Sequence, residues 1–320
     1  VLVLALVLFS VACKKGEPNP PETGEEPAEA PSTPSEAEPM SDEAAVPPPS
    51  IELLNAGAEP RHPLRQVLGA DAKDTMSIRS EVTITAQMGT AGESTTVIPP
   101  VVHTLALEVQ SQGSDETSTI GFEVVGSEVR PAPPETPADV QEKLKASAAS
   151  IRGLRGTYQI DSQGLITNVQ IAAPAAGAGR DPHMAASIGE FLYRSAAPFP
   201  EQPVGLGAKW VVKRRLEEGG ISFDETSTYE LREAEGASVA ASVQVERLAP
   251  EQKVGSKDPF DLKTFTATGR GRIEIDLDRI APRGASRQTQ TELFMHRPGP
   301  SGSGIQSQLS VSTNEQMSRP

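Results

Sequence analysis

Hydrophobic and polar residues alternate with a period of two along much of this chain, most clearly between residues 209 and 231. Trp210, Val212 and Leu216 fall on one face of this stretch, which is interrupted only by Arg214. After a Glu-Glu-Gly-Gly break, a second run puts four apolar residues on one face, namely Ile221, Phe223, Tyr229 and Leu231. Because successive side chains of a strand point to opposite faces, the pattern predicts a β-hairpin with one mostly apolar face.

A proline-rich loop precedes this hairpin. Residues 198–203 contain three prolines, which cannot donate hydrogen bonds to a sheet and favour an extended chain. Gly205 and Gly207 then permit a tight turn, and Trp210, the only tryptophan of the protein, follows directly. We therefore predict that Trp210 is buried where the loop meets the sheet.

The same alternation recurs on both sides of the hairpin. Short polar turns separate the first three runs, so an antiparallel meander is their simplest arrangement. Residues 51–58 fit either a helical turn or a short edge strand, and the glycines at 269 and 271 indicate a bulge or sharp bend inside a strand. The clear runs occupy residues 76–88, 101–109, 120–124, 154–160, 165–171, 239–245, 265–277, 291–295 and 305–311.

Two segments show helical spacing instead. Thr136-Pro137 and Asp181-Pro182 each offer a capping residue followed by proline at the first helical position. Apolar residues then recur three or four positions apart, which is typical of an amphipathic helix. These residues are Val140, Leu144, Ala148 and Ile151 in the first helix, and Met184, Ile188, Phe191 and Leu192 in the second.

Together these elements predict a mainly β protein built on a single large, curved antiparallel sheet. A sheet of roughly 10–11 strands has to coil or close on itself, so we expect a half-barrel. The two amphipathic helices are expected to lie on one side of the sheet and to cover its concave face.

The first twelve residues form an apolar run that is too short to span a bilayer and is typical of a secretory signal. The run has no initiator Met and no basic segment before it, so we expect the chain to start inside its signal. The residues Ser10-Val11-Ala12-Cys13 resemble a bacterial lipobox, although that pattern prefers Leu at the position of Ser10. The resemblance implies that Cys13 becomes the lipidated N-terminus. The alternative is an ordinary signal peptide with an incidental cysteine.

The region after Cys13 has the composition of a disordered tether. Residues 14–50 hold ten prolines, nine acidic residues and two lysines, so they cannot bury enough apolar surface to fold. We expect residues 13–50 to be the lipidated cysteine and its tether, and residues 51–320 to form the β-rich domain. The formal net charge of −14 argues against nucleic acid as a partner. With a single cysteine, no disulfide can form within the chain.

Two stretches carry a resemblance to a family of secreted bacterial lipoproteins. The first is Pro200-x-x-Pro-Val-Gly-x-Gly-x-x-Trp210, and the second is Gly269-x-Gly-Arg-Ile-x-Ile-Asp-Leu277 followed by Arg-Ile-Ala-Pro282. Pro60-x-x-Pro-Leu-Arg65 is a weaker match. In architecture the chain is similar to periplasmic carriers of lipoproteins and lipids, whose half-barrels enclose a hydrophobic cavity. Lys14 is not the residue that retains lipoproteins at the inner membrane of enteric bacteria, which implies the outer membrane.

The sequence contains no constellation that predicts catalysis, a metal site or a cofactor. Its four histidines lack a second ligand at metal-binding spacing, and His103 shares a strand face with leucines, which favours a core position. Neither a nucleophile elbow nor a phosphate-binding loop occurs. Glu274, Asp276 and Asp278 alternate along one strand and are interpreted as its solvated side. We therefore predict that the protein is not an enzyme.

These observations predict an outer-membrane-anchored periplasmic lipoprotein that binds or carries a lipid or other apolar ligand. The alternative is a cell-envelope structural or interaction protein with a packed core, whose partner is another envelope protein. Arg214, on the Trp210 face, is either a snorkelling side chain or a contact for a lipid headgroup or partner. The residues predicted to line the ligand cavity or fill the core are Ile84, Leu105, Leu107, Phe122, Trp210, Val212, Phe223 and Tyr229.

Overall fold

The computed structural model describes residues 49–90, 92–113, 116–131, 133–134, 136–172, 182–255, 259–298 and 304–320. Cys13 and residues 14–48 of the predicted tether lie outside the described residues, and so do the side chains of His183 and Met184.

Thirteen strands and two helices make up the described part of the chain. The strands are β1 (Ser50–Asn55), β2 (Lys73–Met88), β3 (Glu93–Gln112), β4 (Ser118–Val129), β5 (Arg155–Ile160), β6 (Ile166–Ile171), β7 (Lys209–Glu218), β8 (Ile221–Glu235), β9 (Ser238–Ala249), β10 (Gln252–Val254), β11 (Phe260–Asp276), β12 (Gly284–Arg297) and β13 (Ile305–Ser318). The helices are α1 (Ala138–Ser150) and α2 (Pro182–Arg194).

All thirteen strands belong to one antiparallel sheet, which confirms the predicted fold class. The order of the strands is β1-β7-β8-β9-β11-β12-β13-β2-β3-β4-β5-β6, and the short β10 pairs with β11. The predicted meander of β2, β3 and β4 and the predicted hairpin of β7 and β8 are both present. The estimate of ten or eleven strands was too low because β1 had an ambiguous pattern and β10 is only three residues long.

The sheet is open, and it curves around α2. In the described chain its two end strands, β1 and β6, do not pair with each other. Gly189 of α2 lies against Val169 on β6, near one end of the sheet. The Tyr193 carbonyl of α2 accepts a hydrogen bond at 3.4 Å from Arg214 on β7, near the other end. A single helix can touch strands from both ends only if the sheet wraps around it.

Both helices begin close to where the sequence predicts. The predicted cap of α2, Asp181, lies outside the described residues, and the prediction for α1 needs one correction. Its first helical residue is Ala138, and Thr136 does not cap it: the Thr136 hydroxyl instead donates to the Val97 carbonyl at 3.2 Å. The predicted apolar stripe is confirmed, since Leu144 and Ile151 are buried and α1 packs on β4.

Helix α2 is enclosed more completely than an amphipathic helix on one face of a sheet. Its predicted apolar residues Ile188, Phe191 and Leu192 are buried. Between residues 187 and 194, where the side chains are described, the opposite side is not solvated, because Arg194 is buried there as well and Glu190 is only partly exposed. The apolar spacing of an amphipathic helix is typical of a helix with one solvated side, and the wrapping of the sheet around α2 covers that side at these residues.

Gly269 and Gly271 lie in a regular stretch of the β11–β12 ladder, so the predicted bulge does not occur there. The register shift of β11 lies elsewhere, between Leu262 and Thr264. A Cβ atom at Gly271 would lie 2.2 Å from the Ser286 carbonyl oxygen, a distance at which atoms overlap. The glycine is therefore required by the close approach of the two strands.

Candidate functional site

The proline- and glycine-rich motif around Trp210 forms a structural junction. The indole N–H of Trp210 donates to the Pro198 carbonyl at 2.6 Å, and its ring stacks on Tyr229 with 5.5 Å between centroids. Trp210 is 0% exposed, which confirms its predicted burial. Gly205 approaches Ala58 so closely that a Cβ would lie 1.7 Å from the Ala58 carbonyl oxygen. These residues are held by packing, and their side chains do not face a ligand-sized opening.

The two stretches that carry the family resemblance and the weaker match at residues 60–65 meet at this junction. Arg65, from the first of them in the chain, donates to the Pro200 carbonyl at 3.0 Å and to the Glu201 carbonyl at 2.6 Å. The next residue, Gln66, donates through its side-chain amide to the Arg279 carbonyl at 2.7 Å. The motifs are distant from one another in the sequence, and their common location explains them as parts of one structural unit.

The eight predicted cavity or core residues are all buried, and the structure divides them between two apolar clusters. The larger cluster includes α1, α2 and the strands from β2 to β6, and the smaller one surrounds Trp210. Ile84, Leu105, Leu107, Phe122 and Phe223 belong to the first cluster, and Trp210, Val212 and Tyr229 belong to the second.

Eight ionisable side chains, linked by ion pairs, lie alongside the two apolar clusters, and we call them the buried charge cluster. On three neighbouring strands a charged residue occupies an inward position between members of the two clusters: Arg214 on β7, Glu225 on β8 and Arg247 on β9. The complete cluster consists of Glu190, Arg194, Arg214, Glu218, Glu225, Arg247, Arg287 and Glu315.

Glu225 is the centre of one half of the buried charge cluster. Its carboxylate accepts hydrogen bonds from Arg214 Nη2 at 2.5 Å and Arg247 Nε at 2.8 Å, and Arg287 Nη1 lies 3.8 Å away. Burial alone would raise the pKa of Glu225, but the three guanidinium groups hold that pKa well below its usual range. A carboxylate held in this way stays ionised and is a poor general base.

Arg194, at the C-terminal end of α2, is the centre of the other half. Its guanidinium contacts Glu315 on β13 at 2.5 Å, Glu190 on its own helix at 3.2 Å and Glu218 on β7 at 3.4 Å. Burial, together with the nearby Glu218 carboxylate, raises the pKa of Glu190 to about 8. Through Arg194 the helix is thus bonded to two strands that are distant from each other in the sequence.

The hydrogen bonding of the buried charge cluster is incomplete. Arg287 Nη1 and Glu315 Oε2 are buried and have no hydrogen-bond partner among the described residues. Burial lowers the pKa of Arg287. Two small cavities of about 20 Å³ each border the cluster, and both are lined by Arg194 and Glu315. Each has room for about one water molecule.

Arg214, the predicted headgroup or partner contact, is part of this cluster. Its side chain is 8% exposed and its guanidinium is paired with Glu225. Contact with a headgroup would therefore require the pair with Glu225 to open. The sequence did contain a signal for this pairing, because the Gly-Gly turn of the hairpin places Arg214 directly opposite Glu225.

His103 and Glu274, which the sequence also singled out, have structural partners. The His103 ring is buried beside Phe191, and its Nδ1 lies 3.0 Å from the Ser127 hydroxyl; burial lowers the pKa of His103 to about 4. Glu274 pairs with Arg272 at 2.9 Å. In the described part of the chain, no group of three or more His, Cys, Asp or Glu side chains is placed to hold a metal ion.

Larger depressions occur on the surface, and polar side chains line most of them. One of about 900 Å³ lies beside Asp74 and Arg279, and another of about 530 Å³ lies beside Arg270. None of the helices in the described ranges is long and apolar enough to cross a membrane.

Comparison with known proteins identifies no family. No family model matches the chain, and no curated protein matches it. Among solved structures, one similar chain is OmpT, an outer membrane protein of Vibrio cholerae, folded in vitro and in its trimer form. The alignment covers 77% of this chain and 100% of that chain at 8% identity, with a TM-score of 0.17. A similarity at this level carries no weight in the argument for function.

Proposed function

We propose that this protein is a non-enzymatic lipoprotein of the bacterial cell envelope. In this proposal Cys13 carries the lipid that anchors the chain to the outer membrane on its periplasmic side. The acidic, proline-rich residues 14–48 are the tether, and the β-sheet domain carries the function. The support is the apolar run that ends at Cys13, followed by a segment whose composition opposes folding.

We further propose that the domain holds a lipid or other apolar ligand against the concave face of its sheet. The observation that carries this proposal is the buried charge cluster between α2 and the strands. A buried ion-pair network often stabilises a protein no more than apolar side chains of similar volume, so it adds little stability to a core that stays closed. At an interface that separates, such a network lowers the free-energy cost of opening, because its charged groups regain their hydration.

A packed envelope protein that acts through its surface is the second candidate. The observation that favours it is the filling of the concave side by α1 and α2, where two cavities lined by Arg194 and Glu315 measure about 20 Å³ each. In this alternative the partner is another envelope protein and no ligand enters the domain.

The anchor is tested by replacing Cys13 with serine in protein expressed from its complete gene. We expect Cys13→Ser to move the protein from the membrane fraction to the soluble periplasmic fraction, because the thioether to lipid can no longer form. Ser10→Leu, which restores the usual lipobox residue, is the matched control and should stay in the membrane fraction. Sedimentation of Cys13→Ser with membranes would refute the lipid anchor.

The ligand is tested by native mass spectrometry of the protein purified from its own host. A carrier is expected to show additional mass that is lost on denaturation and is extracted by organic solvent. Protein refolded from denaturant without lipid is the control and should have the bare mass. Repeated recovery of the bare chain from the host would contradict the ligand and favour the packed alternative.

A further inference from the structure

The outer face of the sheet, opposite the face that curves around α2, carries a shallow depression of about 530 Å³. Its lining comes from β7, β8, β9, β11, β12 and β13, whose outward side chains alternate with the buried residues of the core. None of the described lining residues is aromatic, so the depression lacks the ring surfaces on which nucleic-acid bases stack. Its volume lies in the range of sites that bind small ligands.

Two rows of polar side chains cross the depression from strand to strand, and each row has an arginine at its centre. In the first row, Arg270 on β11 lies directly opposite Gln244 on β9 and Gln288 on β12. Thr228 on β8 and Asn314 on β13 continue this row on either side. All five residues line the depression.

The second row lies two residues away along each strand and also lines the depression. Arg272 is its centre, and serines occupy the two positions opposite it, Ser242 on β9 and Ser286 on β12. Glu230 on β8 and Gln316 on β13 are the outer members. Most of the side chains around the two arginines are therefore amides and hydroxyls, which can both donate and accept hydrogen bonds.

The depression is cationic although the protein is acidic overall, with a formal net charge of −14. Among the described residues, its outward lining holds one carboxylate, that of Glu230, and four cationic side chains, those of Lys209, Arg232, Arg270 and Arg272. Glu230 lies 3.5 Å from Lys209 and 2.9 Å from Arg232. The charge of this carboxylate is therefore shared by the two cations at the β7 side of the depression.

Arg270 is the cation that no neighbouring carboxylate balances. Arg272 beside it is paired with Glu233 at 2.8 Å and with Glu274 at 2.9 Å. Within the described chain, Arg270 forms neither an ion pair nor a side-chain hydrogen bond. An acidic residue across the strand would stabilise an arginine, but glutamines occupy both positions opposite Arg270. Its guanidinium is therefore available to an oxyanion, which it can bind through two parallel hydrogen bonds.

We propose that this depression binds an acidic sugar, meaning a sugar unit that carries a carboxylate or a phosphate group. Arg270 binds the oxyanion, and the amides and hydroxyls beside it bind the sugar hydroxyls, which likewise both donate and accept hydrogen bonds. The depression lies on the face of the sheet opposite the one proposed for the apolar ligand, so neither site depends on the other.

Isothermal titration calorimetry tests the site in the full chain with Cys13→Ser, which removes the proposed lipid. The probes are two acidic sugars, trigalacturonic acid and glucose 6-phosphate. We expect at least one of them to bind at low salt, and the tighter of the two identifies carboxylate or phosphate as the group that Arg270 binds. Neutral maltotriose and inorganic phosphate each lack one half of the ligand, and each should bind at least about tenfold more weakly.

Two substitutions locate the site. Arg270→Met is expected to weaken binding of the acidic sugar by at least about tenfold, and Gln288→Leu by about threefold. Arg215→Met on β7 and Gln308→Leu on β13 are the matched controls, because these side chains are exposed but do not line the depression, and both should leave the affinity unchanged. Added salt should weaken binding to the parent, because it screens the charge of the oxyanion.

Several results would overturn the acidic-sugar site. The first is failure of both acidic sugars to bind the parent. Equal affinity for maltotriose would show that no oxyanion is recognised, and equal affinity for inorganic phosphate would show that the sugar is not recognised. Binding that Arg270→Met and Gln288→Leu leave unchanged would place the sugar elsewhere on the protein. Arg270 and Gln288 are both exposed, so both variants should fold, which circular dichroism checks; the salt dependence of the parent needs no variant.

Discussion

Trp210→Ala is expected to lower the free energy of unfolding by about 3–5 kcal/mol, a large part of the 5–15 kcal/mol roughly typical of a domain. The indole is fully buried, donates to the Pro198 carbonyl and packs between Phe199 and Tyr229. Its removal leaves a cavity at the point where the loop, β7 and β8 meet. Urea denaturation followed by circular dichroism measures the loss.

Lys213→Ala on the same strand is the matched control for Trp210→Ala. Its ammonium lies 3.6 Å from Glu52, and both side chains are largely exposed, so we expect a loss below about 1 kcal/mol. Because the protein has one tryptophan, the native emission maximum reports the same site and should lie at short wavelength. Equal losses for the two variants, or native emission at the solvated wavelength, would contradict the role of Trp210 in the core.

Glu225→Gln is the second substitution for which we expect a large effect, a destabilisation of about 3–5 kcal/mol. The change keeps the size of the side chain but removes the charge that neutralises three buried guanidinium groups, those of Arg214, Arg247 and Arg287. Glu230→Gln is the matched control on the same strand, because Glu230 pairs with the more exposed Lys209 and Arg232. A loss from Glu225→Gln no larger than that from Glu230→Gln would refute this account.

A comparison of the parent protein with Glu225→Gln also tests how stability depends on pH. Because the pKa of Glu225 is lowered in the folded state, its stabilisation is fully present above the unfolded pKa near 4.5 and is lost as the pH falls toward the folded value. The parent is therefore expected to lose stability below pH 4.5 more steeply than Glu225→Gln. Denaturation midpoints between pH 3 and pH 7 measure the two slopes, and parallel slopes would contradict the lowered pKa.

The sequence predicted the parts of the fold that depend on local pattern. Period-two alternation located the hairpin of β7 and β8, and the burial of Trp210 followed from its place on the apolar face. Spacing at three and four positions located both helices. The pairing of β2 with β13 could not be predicted, because no local pattern specifies which distant strands become neighbours.

The buried charge cluster was only partly visible in the sequence. Arg214 and Glu225 interrupt inward faces of one hairpin, and the turn fixes them as cross-strand partners, so that pair could have been found. Arg194 and Glu315 lie 121 positions apart and meet only because the sheet curves around α2. Their interaction depends on the tertiary fold. The local sequence of α2 could not reveal it, because a helix whose Arg and Glu face solvent has the same pattern.

The position of β13 between β12 and β2 also governs how the chain reaches this fold. Asn314 on β13 contacts Glu81 on β2, its partner strand, across 233 positions of sequence. Contacts so distant form slowly, since most of the chain must be ordered before they can close. Until β13 arrives, β2 and β12 each present an unpaired edge on which another unfolded copy can add a strand. Association between copies therefore competes with completion of the sheet until β13 has paired with both strands.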